Sequence, residues 1–261
     1  MWAISYISDA GETAIIKMIE TGVLEPLVSH LNNSNNNSMN CSPKSEPNII
    51  LPAVRSLGNF VTGEDTETQT VIDAGVLPQL HALLSHKDAA IRKEACWTLS
   101  NICAGTEMQI SLLIEVGIID KMVELVQTDV YEIQREAGWS ISNSTALRQK
   151  DIICEIVKRK GLEAMCLVLK QKIDVKTAVV LLEGIRNCLE VGKANFIDEN
   201  TGDNPFSIII EECGGLDTIE NLQEHQNQHI YEISVSIIEQ FFQLEEVNLE
   251  DGSDGNELLQ F

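Results

Sequence analysis

The chain has 261 residues, with 18 Lys and Arg against 40 Asp and Glu, a formal net charge of −22. Hydrophobic residues make up 44% and aromatic residues 5%, which is too apolar for a disordered chain and too acidic for non-specific binding to nucleic acid, whose phosphates would be repelled. Seven cysteines without a CxxC pair exclude a disulfide scaffold, and with no signal peptide and no apolar run of ~18 residues they read as reduced thiols of a soluble, intracellular protein without membrane contact.

Taken in order, the elements repeat. WAISYISDAG reads as part of a long helix carrying Trp2 and Tyr6. Gly22 opens an apolar helix, VLEPLVSHL, with Pro26 near its start, where a missing N–H costs little. Residues 32–47 read NNSNNNSMNCSPKSEP, an Asn/Ser-rich loop insertion. A long helix, VRSLGNFVTG, follows with Arg55 and Asn59. QTVIDA, then VLPQLHALLS after Gly75, then AAIRKEACWTLSNICAG with Trp97 and Asn101 make a complete three-helix unit. Gly117 opens IIDKMVELV, and REAGWSISNSTA brings Trp139 and Asn143. The next segment, STALRQK, lacks the Gly found after Asn59 and Asn101, so this end should differ. Gly161 opens LEAMCLVL, and LEGIRNCLEV carries Asn187 with Glu183 where a Trp would stand. A second insertion, 193–207, precedes Gly215 and a last unit reaching about residue 242. The acidic stretch 243–261 reads as a disordered tail.

The glycines are 53, 42, 44 and 54 residues apart, and the Asn residues 42, 42 and 44. Gly to Asn is 26 residues in three units and 37 in the first, where the insertion at 32–47 accounts for the excess. A period near 42 with three helices per unit predicts an all-α solenoid over 1–242, in which no unit buries its apolar face alone. Each glycine is expected to end a short helix in a left-handed cap.

The long third helices carry the chemistry. Trp97 and Asn101, like Trp139 and Asn143, are four apart and so share one helix face. Arg55 and Asn59, and Trp2 and Tyr6, repeat the spacing. Stacking lines these pairs into two rows suited to an extended peptide. An Asn amide can clamp a peptide N–H and C=O, while Trp faces take the stems and charged heads of Lys or Arg. Apolar packing would explain a Trp, but it does not require Asn four residues later. Glu94 and Glu136, three before each Trp, add negative potential.

With order and spacing matching as well as residue type, WAISYISDAG, VRSLGNFVTGED, RKEACWTLSNICAG, REAGWSISNSTA and IIEECGGLDTIENLQEHQNQ resemble the later repeats of the importin-α (karyopherin-α) family. The resemblance implies an armadillo-repeat, right-handed α-α superhelix whose concave groove binds Lys/Arg-rich nuclear localisation signals at its minor site. It implies a Trp–Asn array of Trp97, Asn101, Trp139 and Asn143. Val61, Thr62, Gly63 and Thr68, with Asn101, would hold the preferred lysine. Glu94, Ser100 and Glu136 would receive the neighbouring basic side chain. Arg55 would interrupt the Trp ladder, with Asn59 below it.

The same resemblance implies that a last repeat near 208–242 engages an export receptor of the exportin-2/CAS type, and that the protein works in cytoplasm and nucleus. Residues 1–9 correspond to part of a third helix. The family's basic importin-β-binding segment and major pocket have no counterpart in this stretch, so importin-β is expected as a partner only where such a segment exists. Low protection is expected over residues 2–31, where apolar surface lacks a polar cap. The alternative is an armadillo scaffold outside nuclear transport, whose groove would take acidic ligands.

Other signals are weak. His225 and His229 in HQNQH lack the HExxH pattern and a third metal ligand. Lys158, Arg159 and Lys160 suit a helix C-terminus. No phosphate loop or catalytic set is present, so no cofactor and no enzymatic activity are expected. Residues 183–261 hold 18 acids and 2 bases, so most of the net negative charge lies beyond the expected pocket.

Overall fold

The structure, a computed structural model, describes residues 1–32 and 47–242. The body of the 32–47 insertion and the 243–261 tail lie outside the described residues, as does Cys41. Among the described residues every regular element is a helix. After α1 (Trp2–Ser8), five three-helix units follow. The first is α2 (Glu12–Glu20), α3 (Leu24–Asn32) and α4 (Pro47–Phe60). The second is α5 (Asp65–Asp73), α6 (Val76–Leu83) and α7 (Ala89–Ile102), and the third is α8 (Glu107–Glu115), α9 (Ile118–Thr128) and α10 (Tyr131–Asn143). The fourth is α11 (Lys150–Lys158), α12 (Gly161–Leu169) and α13 (Val175–Asn195), and the last is α14 (Pro205–Glu212), α15 (Gly215–Leu222) and α16 (Gln228–Phe241). None of these helices is long and apolar enough to cross a membrane.

Local chemistry sets the helix starts. Asp88 accepts from the Ala90 N–H at the head of α7, and Asp174 accepts from the Thr177 N–H at the head of α13. Thr106 and Gln109 form a reciprocal capping box at α8. Gln109 is buried and also donates to the Asp65 carbonyl at 3.0 Å, so one residue both caps its own helix and ties two units.

The third helices α1, α4, α7, α10, α13 and α16 pack each on the next, forming one row. The second helices pack behind them, α3 on α6, α9 on α12 and α12 on α15. The core repeats with the units. Leu57, Leu99, Ile141 and Ile185, each two residues before a ladder Asn, are fully buried. Leu27, Leu80, Met122, Met165 and Ile219 fill the same place on the second helices. Each such side chain contributes about 1.5–3 kcal/mol on burial, and neighbouring units supply much of its cover.

The turn into each second helix corrects one expectation. Gly22, Gly75 and Gly117 do adopt positive φ, at 75°, 81° and 82°. In the last two units the left-handed residue stands one position earlier, at Lys160 (φ 64°) and Gly214 (φ 67°). Gly161 and Gly215 are needed for space. A Cβ on Gly161 would lie 2.5 Å from Ile156 Cγ2, and one on Gly215 2.7 Å from Cys166 Sγ. Counted from Lys160, the fourth unit runs 27 residues to Asn187, one more than its neighbours. The second insertion also changes meaning. α13 continues past Asn187 to Asn195, and α14 starts at Pro205, so only 196–204 is connection.

Candidate functional site

The polar row on the third helices is a hydrogen-bond ladder. Asn59 Nδ2 donates to the Ser5 carbonyl at 3.0 Å, Asn101 Nδ2 to the Gly58 carbonyl at 3.4 Å, and Asn143 Nδ2 to the Ser100 carbonyl at 2.9 Å. Each acceptor immediately precedes the ladder residue of the unit before. Asn59 Nδ2 also donates to Ser8 Oγ at 2.9 Å. The amide nitrogen of each Asn therefore locks adjacent units, and its carbonyl oxygen remains available as an acceptor.

The pattern breaks at Asn187. Its Nδ2 donates to Thr145 Oγ1 at 3.1 Å, and its Oδ1 accepts from Arg148 Nε at 2.8 Å. Arg148 adopts φ 51° and also pairs with Glu190 at 3.0 Å. The STALRQK segment thus folds a cation onto the fourth Asn, and the row of available amides stops at Asn143.

Two cavities flank Trp97. The first, about 330 Å³, is lined by Ser8, Asp9, Gly11, Glu12, Ile15, Asn59, Thr62, Gly63, Glu64 and Trp97. The second, about 450 Å³, lies between Trp97 and Trp139 and includes Ser100, Asn101, Arg135, Glu136, Asn143, Asp174, Lys176 and Thr177. The first holds three carboxylates and no cationic side chain. The second balances Glu136 and Asp174 against Arg135 and Lys176, so the first is the stronger place for a positive charge.

The aromatic faces already carry cations. The Arg55 guanidinium sits 5.2 Å from the Trp97 ring centroid, and Lys176 Nζ sits 4.9 Å from that of Trp139. Arg55 Nη2 donates to Glu94 Oε2 at 2.7 Å, and Arg55 Nε closes a second contact on Oε1. Burial pushes the Glu94 carboxyl above its ordinary range against the opposing pull of Arg55. Trp139 Nε1 donates to Thr177 Oγ1 at 3.2 Å, which fixes the ring plane.

Of the residues singled out from sequence, the structure brings Asn59, Thr62, Gly63 and Trp97 to the first cavity. It brings Trp97, Ser100, Asn101, Glu136, Trp139 and Asn143 to the second. Arg55 and Glu94 pair beside Trp97. Val61 and Thr68 are buried and line neither cavity, and Asn101 lines the second. Sequence reasoning missed Asp9, Glu12 and Glu64. Their signal was present: Asp9 follows the last residue of α1, Glu12 opens α2 and Glu64 immediately precedes α5, so all three stand where a third helix gives way to the next short helix. Only stacking places the α1–α2 turn against the α4–α5 turn.

Comparison with known proteins places this geometry in a family. The armadillo/β-catenin-like repeat matches residues 65–104 and 106–143, and the atypical Arm repeat matches 204–256. Importin subunit alpha-3 of Arabidopsis thaliana is 44% identical over 98% of this chain and 46% of its own length. Importin subunit alpha-1b of Oryza sativa subsp. japonica is 42% identical over 94% of this chain and 44% of its own length.

The chain is an armadillo-repeat protein of the importin-α type. It spans about half the length of the curated importin-α relatives it matches. Among solved structures, a designed armadillo repeat protein in complex with the peptide (KR)4 superposes with a TM-score of 0.74. It is 28% identical to the importin-α-type chain and covers 91% of it and 89% of itself.

Proposed function

We propose that the groove binds a Lys/Arg-rich peptide of the nuclear-localisation type, and that the chain is the minor-site portion of a nuclear import adaptor moving between cytoplasm and nucleus. One observation carries this reading: the cavity beside Trp97 is lined by Asp9, Glu12, Glu64 and the Asn59 amide, with no cationic side chain. A lysine stem fits along Trp97 while its ammonium meets the carboxylates. Asn101 and Asn143 hold the peptide backbone as it crosses to the second cavity. Glu94 pairs with Arg55 and does not line that cavity, so Glu136, which shares its charge with Arg135, and Asp174 are the acids that meet the next basic side chain there. The (KR)4 ligand of the designed relative fits the same chemistry. The three carboxylates oppose an acidic ligand, so the scaffold reading is the weaker one. The last unit, α14–α16, is the proposed surface for an export receptor of the exportin-2/CAS type, on the strength of the resemblance over 208–242.

The test is titration of a KKRK-type peptide into the full chain. The expected Kd is micromolar or better. Binding should weaken about tenfold or more in Trp97→Ala, Asn101→Ala and Glu64→Lys, and should weaken with added salt. An acidic peptide that outcompetes the basic one, or an affinity indifferent to salt and to all three substitutions, overturns the reading.

A further inference from the structure

The third-helix face changes character in the fourth unit. Asn187 shares one face of α13 with Glu183, four residues before it, and Glu190, three after. The Asn187 amide oxygen accepts from Arg148 Nε at 2.8 Å, and the same nitrogen lies 3.0 Å from Glu190 Oε2. Glu190 Oε1 faces Arg186 Nε at 3.8 Å, and Arg186 Nη2 donates to Glu183. Arg148, Glu190, Arg186 and Glu183 therefore form a chain of alternating sign. Its charges balance, so it offers little to a further Lys or Arg, unlike the three carboxylates beside Trp97.

Arg148 is held in place by its own turn. Its backbone takes φ 51°, a conformation that residues with a side chain seldom adopt. The Arg148 N–H donates to the Thr145 carbonyl at 2.9 Å, and the buried Thr145 hydroxyl accepts from Asn187 Nδ2 at 3.1 Å. Two residues on, Lys150 Nζ sits 4.9 Å from the Phe196 ring centroid and ties the segment to the end of α13. The Arg148 side chain is still 48% exposed, whereas the Asn187 it bonds is buried.

We propose that Arg148 is a specificity-determining residue that ends the peptide groove at Asn143, because it fills a fourth basic-residue subsite from within the chain. This rests on the basic-peptide reading of the groove. An arginine of a bound peptide would use the same two acceptors, the Asn187 amide oxygen and the Glu190 carboxylate. The internal guanidinium shows that such a group fits there, and its exposed charge repels a second one. Removing it frees both acceptors and leaves Glu190 with only the distant Arg186. Packed helices stand about 8–10 Å apart and an extended peptide advances about 3.3 Å per residue. One more unit therefore corresponds to about three further peptide residues.

The experiment titrates the full chain with KKRK extended by Gly-Gly and a far Arg at either end, each beside a matched peptide with a far Ala. The readout is the affinity ratio of far-Arg to far-Ala peptide. Arg148→Ala should raise that ratio at least fivefold over the parent at one of the two ends. Arg148→Gly, which the left-handed turn accommodates, should do the same, and Arg148→Lys, which keeps the charge, should not. Adding Glu190→Gln to Arg148→Ala should return the ratio toward the parent value, an outcome that mere loosening of the turn does not produce. Ratios unmoved by both Arg148→Ala and Arg148→Gly, or a gain that survives Glu190→Gln in full, overturn the proposal. A parent that binds KKRK while the ratios stay fixed refutes this inference alone, whereas a parent that binds no basic peptide refutes the groove reading and this inference with it.

Discussion

Single residues decide how firmly the units are joined. Arg92 Nε and Nη2 donate to the two oxygens of Asp129 at 2.6 and 2.7 Å, and Nη1 donates to the His86 carbonyl at 2.8 Å. This fork staples α7 to the end of α9, with both side chains largely buried. The hydrogen bonds from Arg92 hold the Asp129 carboxyl below its ordinary range. A depressed folded pKa means stability that is present above the unfolded value, near 4, and lost as pH falls through the folded one. Asp129→Asn should cost about 1–3 kcal/mol at pH 7. Melting curves at pH 7 and pH 3 check this: parent and variant should differ at neutral pH, and the gap should narrow in acid. A gap unchanged between the two pH values would rule out the ion pair as its source. The motif residues Trp97, Asn101, Trp139 and Asn143 were legible in the sequence because type and spacing coincide. Asp9, Glu12 and Glu64 were not, since a carboxylate at a helix end is ordinary until another turn is placed beside it.

At the scale of elements, α4 and α7 show how the groove is shaped. Gly58 sits inside α4, where helix propensity alone would favour Ala. A Cβ there would lie 2.3 Å from Trp97 Cζ3 and 2.7 Å from Thr98 Oγ1. The missing side chain is the bed on which the Trp97 ring lies, and hence the wall between the two cavities. Gly58→Ala should therefore cost about 1–3 kcal/mol by overpacking and weaken basic-peptide binding together with it. Gly63→Ala, whose nearest neighbour would be 3.7 Å away, should leave the melting temperature nearly unchanged. Calorimetry of the two variants separates the cases, and equal melting shifts would refute the role assigned to Gly58. The left-handed turns were only half legible. The glycine read from the sequence takes the turn in three units, but Lys160 takes that conformation in the fourth and Gly214 in the last, and Gly161 and Gly215 answer to close packing instead.

Across the whole molecule, protection should follow burial along the row of units. In α1 only Ser5 and Ser8 are buried, while Trp2, Tyr6 and Ile7 are exposed. In α2 only Ile15 is buried. α7, packed between α4 and α10, buries Ile91, Ala95, Cys96, Leu99 and Ile102 completely. Amides of α1 and α2 should exchange at least tenfold faster than those of α7, as expected where few buried contacts resist local opening. Equal exchange would contradict a solenoid whose stability is set unit by unit. α3 departs from the sequence expectation for residues 2–31, because Leu27 and Leu31 are buried and should slow exchange there.

The sequence by itself determined the helical period, the Trp and Asn rows and the all-α solenoid, because each follows from spacing along one helix or from repetition at about 42 residues. The tertiary structure alone decided where the rows end and where the negative charge collects. Asn187 carries the ladder residue but is taken by Arg148, and the three carboxylates beside Trp97 come from two turns more than fifty residues apart. Periodicity places a residue on a face. Which turns and cations crowd that face depends on the backbone path between helices, and that path is fixed only when the units stack.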